Sequence, residues 1–72
     1  MNMVWDRYVS HGIRELGYDV GTHTMAVVFP GNVIKYHAPV PYQIYASIFH
    51  AKFPERLYKQ TVEGHIPTVS GV

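Results

Sequence analysis

Two rhythms of apolar and polar residues divide the chain. From Ile13 to Tyr18 the side chains alternate, with Arg14, Leu16 and Tyr18 on one side and Ile13, Glu15 and Gly17 on the other, as in a strand. Gly17 inside a strand marks a bulge or a close contact. Asp19-Val20-Gly21-Thr22 supplies turn chemistry, because Asp bonds its own backbone and Gly accepts a positive φ. Thr24 to Phe29 is the second strand. Met25, Val27 and Phe29 share one face, Ala26 and Val28 the other, and apolar residues on both faces place this strand centrally. Pro30-Gly31 breaks it. The type II turn that Pro-Gly favours does not match strand twist in a two-residue hairpin, so the loop is expected to include Asn32. Val33 to His37 is the third strand. Its pattern assigns Ile34 and Tyr36 to the core and leaves the face of Val33, Lys35 and His37 to solvent.

After Ala38-Pro39 the period changes. Pro41 suits a first helical residue, where its missing N–H costs nothing. Pro41, Ile44, Tyr45, Ile48 and Ala51 form one stripe, which predicts an amphipathic helix to about Ala51. Pro54 cannot continue it and opens a second short helix to about Gln60, with Glu55 near the positive end of the helix dipole. The expected fold is α+β: a three-stranded antiparallel meander packed against one main helix, with a second short helix after it. The unit from Thr24 to His50 is its centre.

The two ends carry less signal. Residues 1–8 form an arm. Trp5, Tyr8 and Val9 sit at helical spacing, while Met3, Trp5, Arg7 and Val9 alternate as in a strand, and either reading packs the arm through Trp5 as a partly buried ring. Residues 64–72 read as an extended tail with Ile66 and Val69 touching the body and the last four residues mobile.

Composition narrows the function classes. The chain has 72 residues, which suits a single small domain with a thin core. It is 47% hydrophobic and 15% charged, so it is not a disordered tail. It has no cysteine, which excludes disulfides and thiolate metal sites. No apolar run reaches the roughly 20 residues of a membrane span, and the first residues do not resemble a signal peptide, so the expected location is the cytoplasm. The net charge of +1 does not by itself announce nucleic-acid binding.

Catalytic chemistry is not expected. Ser10, Ser47 and Ser70 lack a nucleophile-elbow context, and Asp6, Glu15, Asp19, Glu55 and Glu63 form no evident pair. The histidines at 11, 23, 37, 50 and 65 are scattered. The hairpin could bring His23 and His37 together, which is two ligands where a closed structural site wants four. No cofactor or metal is expected. A nucleic-acid surface would combine cations with aromatic platforms. The candidates are Lys35, Tyr36 and His37 on the third strand and Lys52, Arg56, Tyr58 and Lys59 after the main helix. Lys52, Arg56 and Lys59 recur at helical spacing, which also describes a solvated face. The surplus of aromatic surface allows a protein partner or a homodimer through an apolar surface or a sheet edge.

The order of motifs resembles the KTSC domain, a small bacterial and phage domain named after the C-terminal extension of some lysyl-tRNA synthetases. Val9-Ser10 and Ile13 come first, then Leu16-Gly17-Tyr18-Asp19, a strand ending at Phe29, Gly31, a strand ending in Lys35-Tyr36, Val40-Pro41, Tyr45 and Ala51. The resemblance spans about Val9 to Val62. The chain departs from the family's central Tyr-x-Tyr, with Ile34 at the first position, and from its Ser-x-Gly pair, with Phe53 and Glu55, ahead of Leu57-Tyr58 at the aromatic positions. The resemblance implies a small non-catalytic module that binds RNA or an RNA–protein complex. The competing expectation is a protein-interaction domain, for example a small phage protein that inhibits a host defence protein.

Overall fold

The computed structural model describes residues 3–10, of which 7–10 by backbone alone, and residues 12–69. His11 and Ser70, Gly71 and Val72 of the expected mobile end lie outside the described residues, while Val69, the first of its four residues, is in a strand. Five strands and two helices follow one another: β1 Val4–Ser10, β2 Ile13–Asp19, β3 Thr24–Phe29, β4 Val33–His37, α1 Tyr42–Phe49, α2 Pro54–Thr61 and β5 Thr68–Val69. The strands form one antiparallel sheet in chain order. The expected class and the three central strands hold, but the sheet has five strands rather than three. The N-terminal arm is β1, paired from Val4↔Tyr18 to Arg7↔Glu15, with a register shift before Ser10↔Ile13. The tail adds β5 to β4 through Tyr36↔Val69 and His37↔Thr68.

The turns follow local chemistry. Phe29 pairs with Val33, leaving Pro30, Gly31 and Asn32 in the loop, and Gly31 and Asn32 both take positive φ. At the β2–β3 turn, the Asp19 carboxylate accepts the Gly21 N–H at 2.9 Å and the Thr22 hydroxyl at 3.0 Å. These bonds satisfy a buried carboxylate without a cation, as an Asx-type turn does. The Ala38–Pro39 peptide is cis. Val40 then donates its N–H to the His23 carbonyl at 2.8 Å, and the Tyr18 hydroxyl donates to the Val40 carbonyl, which ties the β4–α1 link to the sheet.

Both helices lie on one side of the sheet. Leu16, Tyr18, Met25 and Val27 point to that side and meet Tyr45 and Ile48 of α1, Tyr58 of α2, and Val40 and Val62. Pro41 is the N-cap of α1 rather than its first helical residue. Its extended ψ of 141° leaves its carbonyl to accept the N–H groups of Ile44 and Tyr45. The helix stops at Phe49, with His50 as C-cap, so Ala51 lies beyond it. In α2, Pro54 takes the first turn as expected, and Pro54, Tyr58 and Val62 are buried at fourfold spacing.

The sheet's two faces overturn one sequence expectation. The register Met25↔His37 and Val27↔Lys35 puts the odd residues of β4 on the helix side. His37 is therefore buried, and Ile34, expected in the core with Tyr36, is 45% exposed on the opposite face. Tyr36 is half-buried on that face. The alternation of β4 is as expected, but the buried face is the one that carries His37. Which face a strand buries depends on where the helices pack, and β4 alone carries no record of that.

Candidate functional site

The residues singled out as a binding surface fall into three separate places. His37 and Tyr58 come together, but inside the molecule. Tyr58 is fully buried and His37 is 2% exposed. The Ile66 carbonyl can only accept, so His37 Nδ1 carries the proton and donates to it at 2.9 Å. In the neutral ring Nε2 then accepts the Tyr58 hydroxyl at 2.7 Å. The Tyr58 ring also meets Phe29 edge-on, with centroids 5.8 Å apart. One imidazole thus joins β4, α2 and the segment after α2. With both ring nitrogens engaged, His37 has no lone pair for a metal, and it is not part of an exposed surface. The possible pairing of His23 with His37 does not form, since His23 sits exposed in the β2–β3 turn. Among the described residues, no group of three or more His, Asp or Glu side chains could hold a metal ion.

Lys35 is the second place. It stands at the helix-side margin of β4, 4.0 Å from Glu63 and over the Phe29 ring at 5.7 Å. Both charges are well exposed, so the pair contributes little, at most about 1 kcal/mol. Lys35 and Glu63 flank an open groove of ≈ 420 Å³ that ends at Thr68. Tyr36, its sequence neighbour, lies on the far side of the sheet.

The third place is the start of α2. Phe53 is its N-cap and is 56% exposed. Lys52 Nζ lies 5.8 Å from the ring centroid and Arg56 Cζ 5.7 Å from it. Cation–π contacts at such exposed sites are worth about 0.5–1 kcal/mol each. Burial of Pro54 and Tyr58 turns Arg56 and Lys59 outward on the opposite face of α2. Lys59 is 4.0 Å from Glu55, one turn earlier. Neither Lys52 nor Arg56 has a carboxylate within ion-pair distance among the described residues. Two unpaired cations therefore flank an exposed aromatic ring. Phe53 was not among the residues expected to bind. It falls outside the helical stripe, and only its position between two cations and a helix-opening proline marks it in the sequence.

Three tyrosine hydroxyls titrate abnormally. Burial raises Tyr58, with a smaller contribution from Glu63, to about 12. Burial first, and then the hydrogen bond to Asp6, raise Tyr45 further. Burial and the nearby Asp19 raise Tyr18. A hydroxyl whose pKa is higher in the folded chain stabilises the fold fully below the unfolded value near 10. That contribution is lost as pH rises through the folded value. Stability is therefore expected to fall from about pH 10 to about pH 12, and Tyr58→Phe should make the fall shallower. Tyrosinate absorbance checks this, because the buried hydroxyls should ionise only with unfolding. Six tyrosines ionising together near pH 10 in a still-folded chain would contradict it.

No helix of the described residues is long and apolar enough to cross a membrane. No family model matches the sequence, and no curated protein is significantly similar to it. Among solved structures, a KTSC domain protein of Yersinia pestis superposes with a TM-score of 0.88 at 17% identity, covering 99% of this chain and 100% of that one. The five-stranded meander with both helices on one side is thus the fold of a KTSC domain.

Proposed function

We propose that the protein is a non-catalytic binding module that takes single-stranded RNA on the surface of Lys52, Phe53 and Arg56. The observation that carries this reading is the exposed Phe53 ring between two cations that have no carboxylate within ion-pair distance among the described residues. A base stacks on an exposed aromatic whatever its identity, and neighbouring cations hold the phosphates on either side. Lys59 extends the surface at its margin, where Glu55 shares its charge. The KTSC-type fold is compatible with the same reading.

Stacking is worth about 1–3 kcal/mol per base, so Phe53→Ala is expected to weaken binding of a short labelled RNA by about 5- to 150-fold. Each phosphate contact on a single strand contributes about 0.7 to the slope of log K against log salt. Lys52→Ala with Arg56→Ala should therefore flatten that slope by about 1.4. Fluorescence anisotropy across a salt series reads both effects, and the RNA should remain intact throughout. Binding that ignores Phe53→Ala and keeps its full salt slope in the double variant would sink the assignment. The second reading, a protein-interaction domain such as one that blocks a host defence protein, draws support from the apolar far face of the sheet. It predicts capture of a protein partner that depends neither on salt nor on Phe53.

A further inference from the structure

An open cleft of ≈ 430 Å³ lies at the head of α1, lined by His23, Pro39, Pro41, Tyr42 and Gln43. The His23 carbonyl accepts the Val40 N–H at 2.8 Å, which holds the β2–β3 turn against the link that carries both prolines. Tyr42 opens the helix and is 59% exposed, although its ring meets Tyr18 edge-on with centroids 5.5 Å apart. The ring is thus supported within the fold and still open to solvent. No Lys, Arg, Asp or Glu is among the lining residues. Asp19, in the neighbouring turn, is buried and bonded to Gly21 and Thr22. From the cleft, Gln43, Ser47 and His50 follow the exposed side of α1 at helical spacing and lead to Lys52 and Phe53. The helix itself carries no charged residue.

We propose that the cleft takes a second base of the strand held at Phe53, so that single-stranded RNA lies along α1 from Phe53 to Tyr42; this placement rests on the RNA reading above. Three features select a base. The volume is at the small end for ligand sites, which suits one planar ring. The walls are uncharged, so they suit the neutral base, while the charged backbone passes over a helix that has no carboxylate to repel it. Tyr42 offers a ring to stack on, and the Gln43 amide and His23 imidazole offer donors and acceptors to the edge of the stacked base. A proline-rich peptide would also meet a tyrosine and two prolines. The exposed strip that continues the cleft ends at the Lys52 and Arg56 cations, however, and a polyanion needs those where a neutral peptide does not. The eight residues of α1 put about 12 Å of helix between the two platforms, more than adjacent nucleotides reach.

Anisotropy of a labelled oligouridylate of about eight nucleotides, within the usual size of single-strand sites, tests the placement beside a dinucleotide, which reaches one platform only. Tyr42→Ala should weaken the longer RNA about 5- to 150-fold, the worth of one stacked base, and leave the dinucleotide unchanged. The slope of log K against log salt should not move, because the cleft holds no phosphate. Tyr42→Phe keeps the ring and should bind as the wild type does. If circular dichroism shows Tyr42→Ala unfolded, Gln43→Glu serves in its place. It sets a carboxylate at an exposed position in the cleft and should weaken the longer RNA selectively. Loss of affinity on Phe53→Ala with none on Tyr42→Ala overturns the second base position and leaves the RNA reading standing. So does a Tyr42→Ala effect that is equal on the dinucleotide or that flattens the salt slope. No RNA binding, or binding that ignores both rings, overturns the two together, as does capture of a proline-rich peptide through Tyr42 by a chain that ignores RNA.

Discussion

His37→Ala is expected to remove about 3–5 kcal/mol of stability, a large fraction of what a chain of this length has. Globular domains keep roughly 0.05–0.15 kcal/mol per residue, or about 4–11 kcal/mol for this chain. The loss has three parts. The imidazole volume becomes a cavity between β4 and α2, because Met25 across the register is already packed and cannot fill it. The Tyr58 hydroxyl, fully buried, loses its acceptor. The Ile66 carbonyl loses its donor, and the segment that leads to β5 loses an anchor to the sheet. Tyr58→Phe separates these parts. It removes one hydroxyl without opening a large cavity and leaves Nε2 of His37 unpaired, at a cost of about 1–3 kcal/mol. The two residues touch, so the double variant should cost less than the sum of the singles. Urea unfolding followed by circular dichroism measures all three. If His37→Ala shifts the midpoint no more than a surface substitution does, the buried link is not a main support of the fold.

Gly17→Val is expected to cost about 1–3 kcal/mol and to move Trp5. The smallest side chain at residue 17 would place its Cβ 2.8 Å from Trp5 Cε3 and 3.0 Å from the Met3 side chain. Valine adds two methyl groups to that collision. Gly17 sits between β1 and β3 in the register, so the backbone on both sides is hydrogen-bonded and cannot retreat. The ring must lift from the sheet instead. The expected signature is a red shift of Trp5 emission together with a lower unfolding midpoint. A variant with native emission and native stability would show that the ring does not rest on this glycine.

Gly17 illustrates how much of the fold was legible. A glycine inside an alternating strand signals a close contact, and that contact exists. What approaches it is a ring from β1, a segment whose helix-like and strand-like spacings coincide and could not be told apart locally. Pairing with β2 decides in favour of the strand, because the partner supplies the hydrogen bonds. β5 is the extreme case. Two residues carry no period at all, so only the exposed edge of β4 makes Thr68–Val69 a strand. The candidate site divides in the same way. Arg56 and Lys59 on α2, with Lys52 just before it, were legible as a solvated face, because they recur at helical spacing. Tyr58 was grouped with those cations by proximity in sequence, yet it is the residue that α2 buries most deeply.

The sequence by itself determined the class, the three central strands, the glycine and proline turns and the positions of both helices. Each of these depends on spacing or on backbone chemistry within a few residues, where local sterics and hydrogen bonding are decisive. Only the tertiary structure decided which face of β4 is buried, that His37 is an interior link rather than a surface ligand, and that β1 and β5 complete the sheet. Those outcomes depend on which groups meet across distant parts of the chain. A period of two says that a strand has two faces, and the packing of helices against one of them says which is inside.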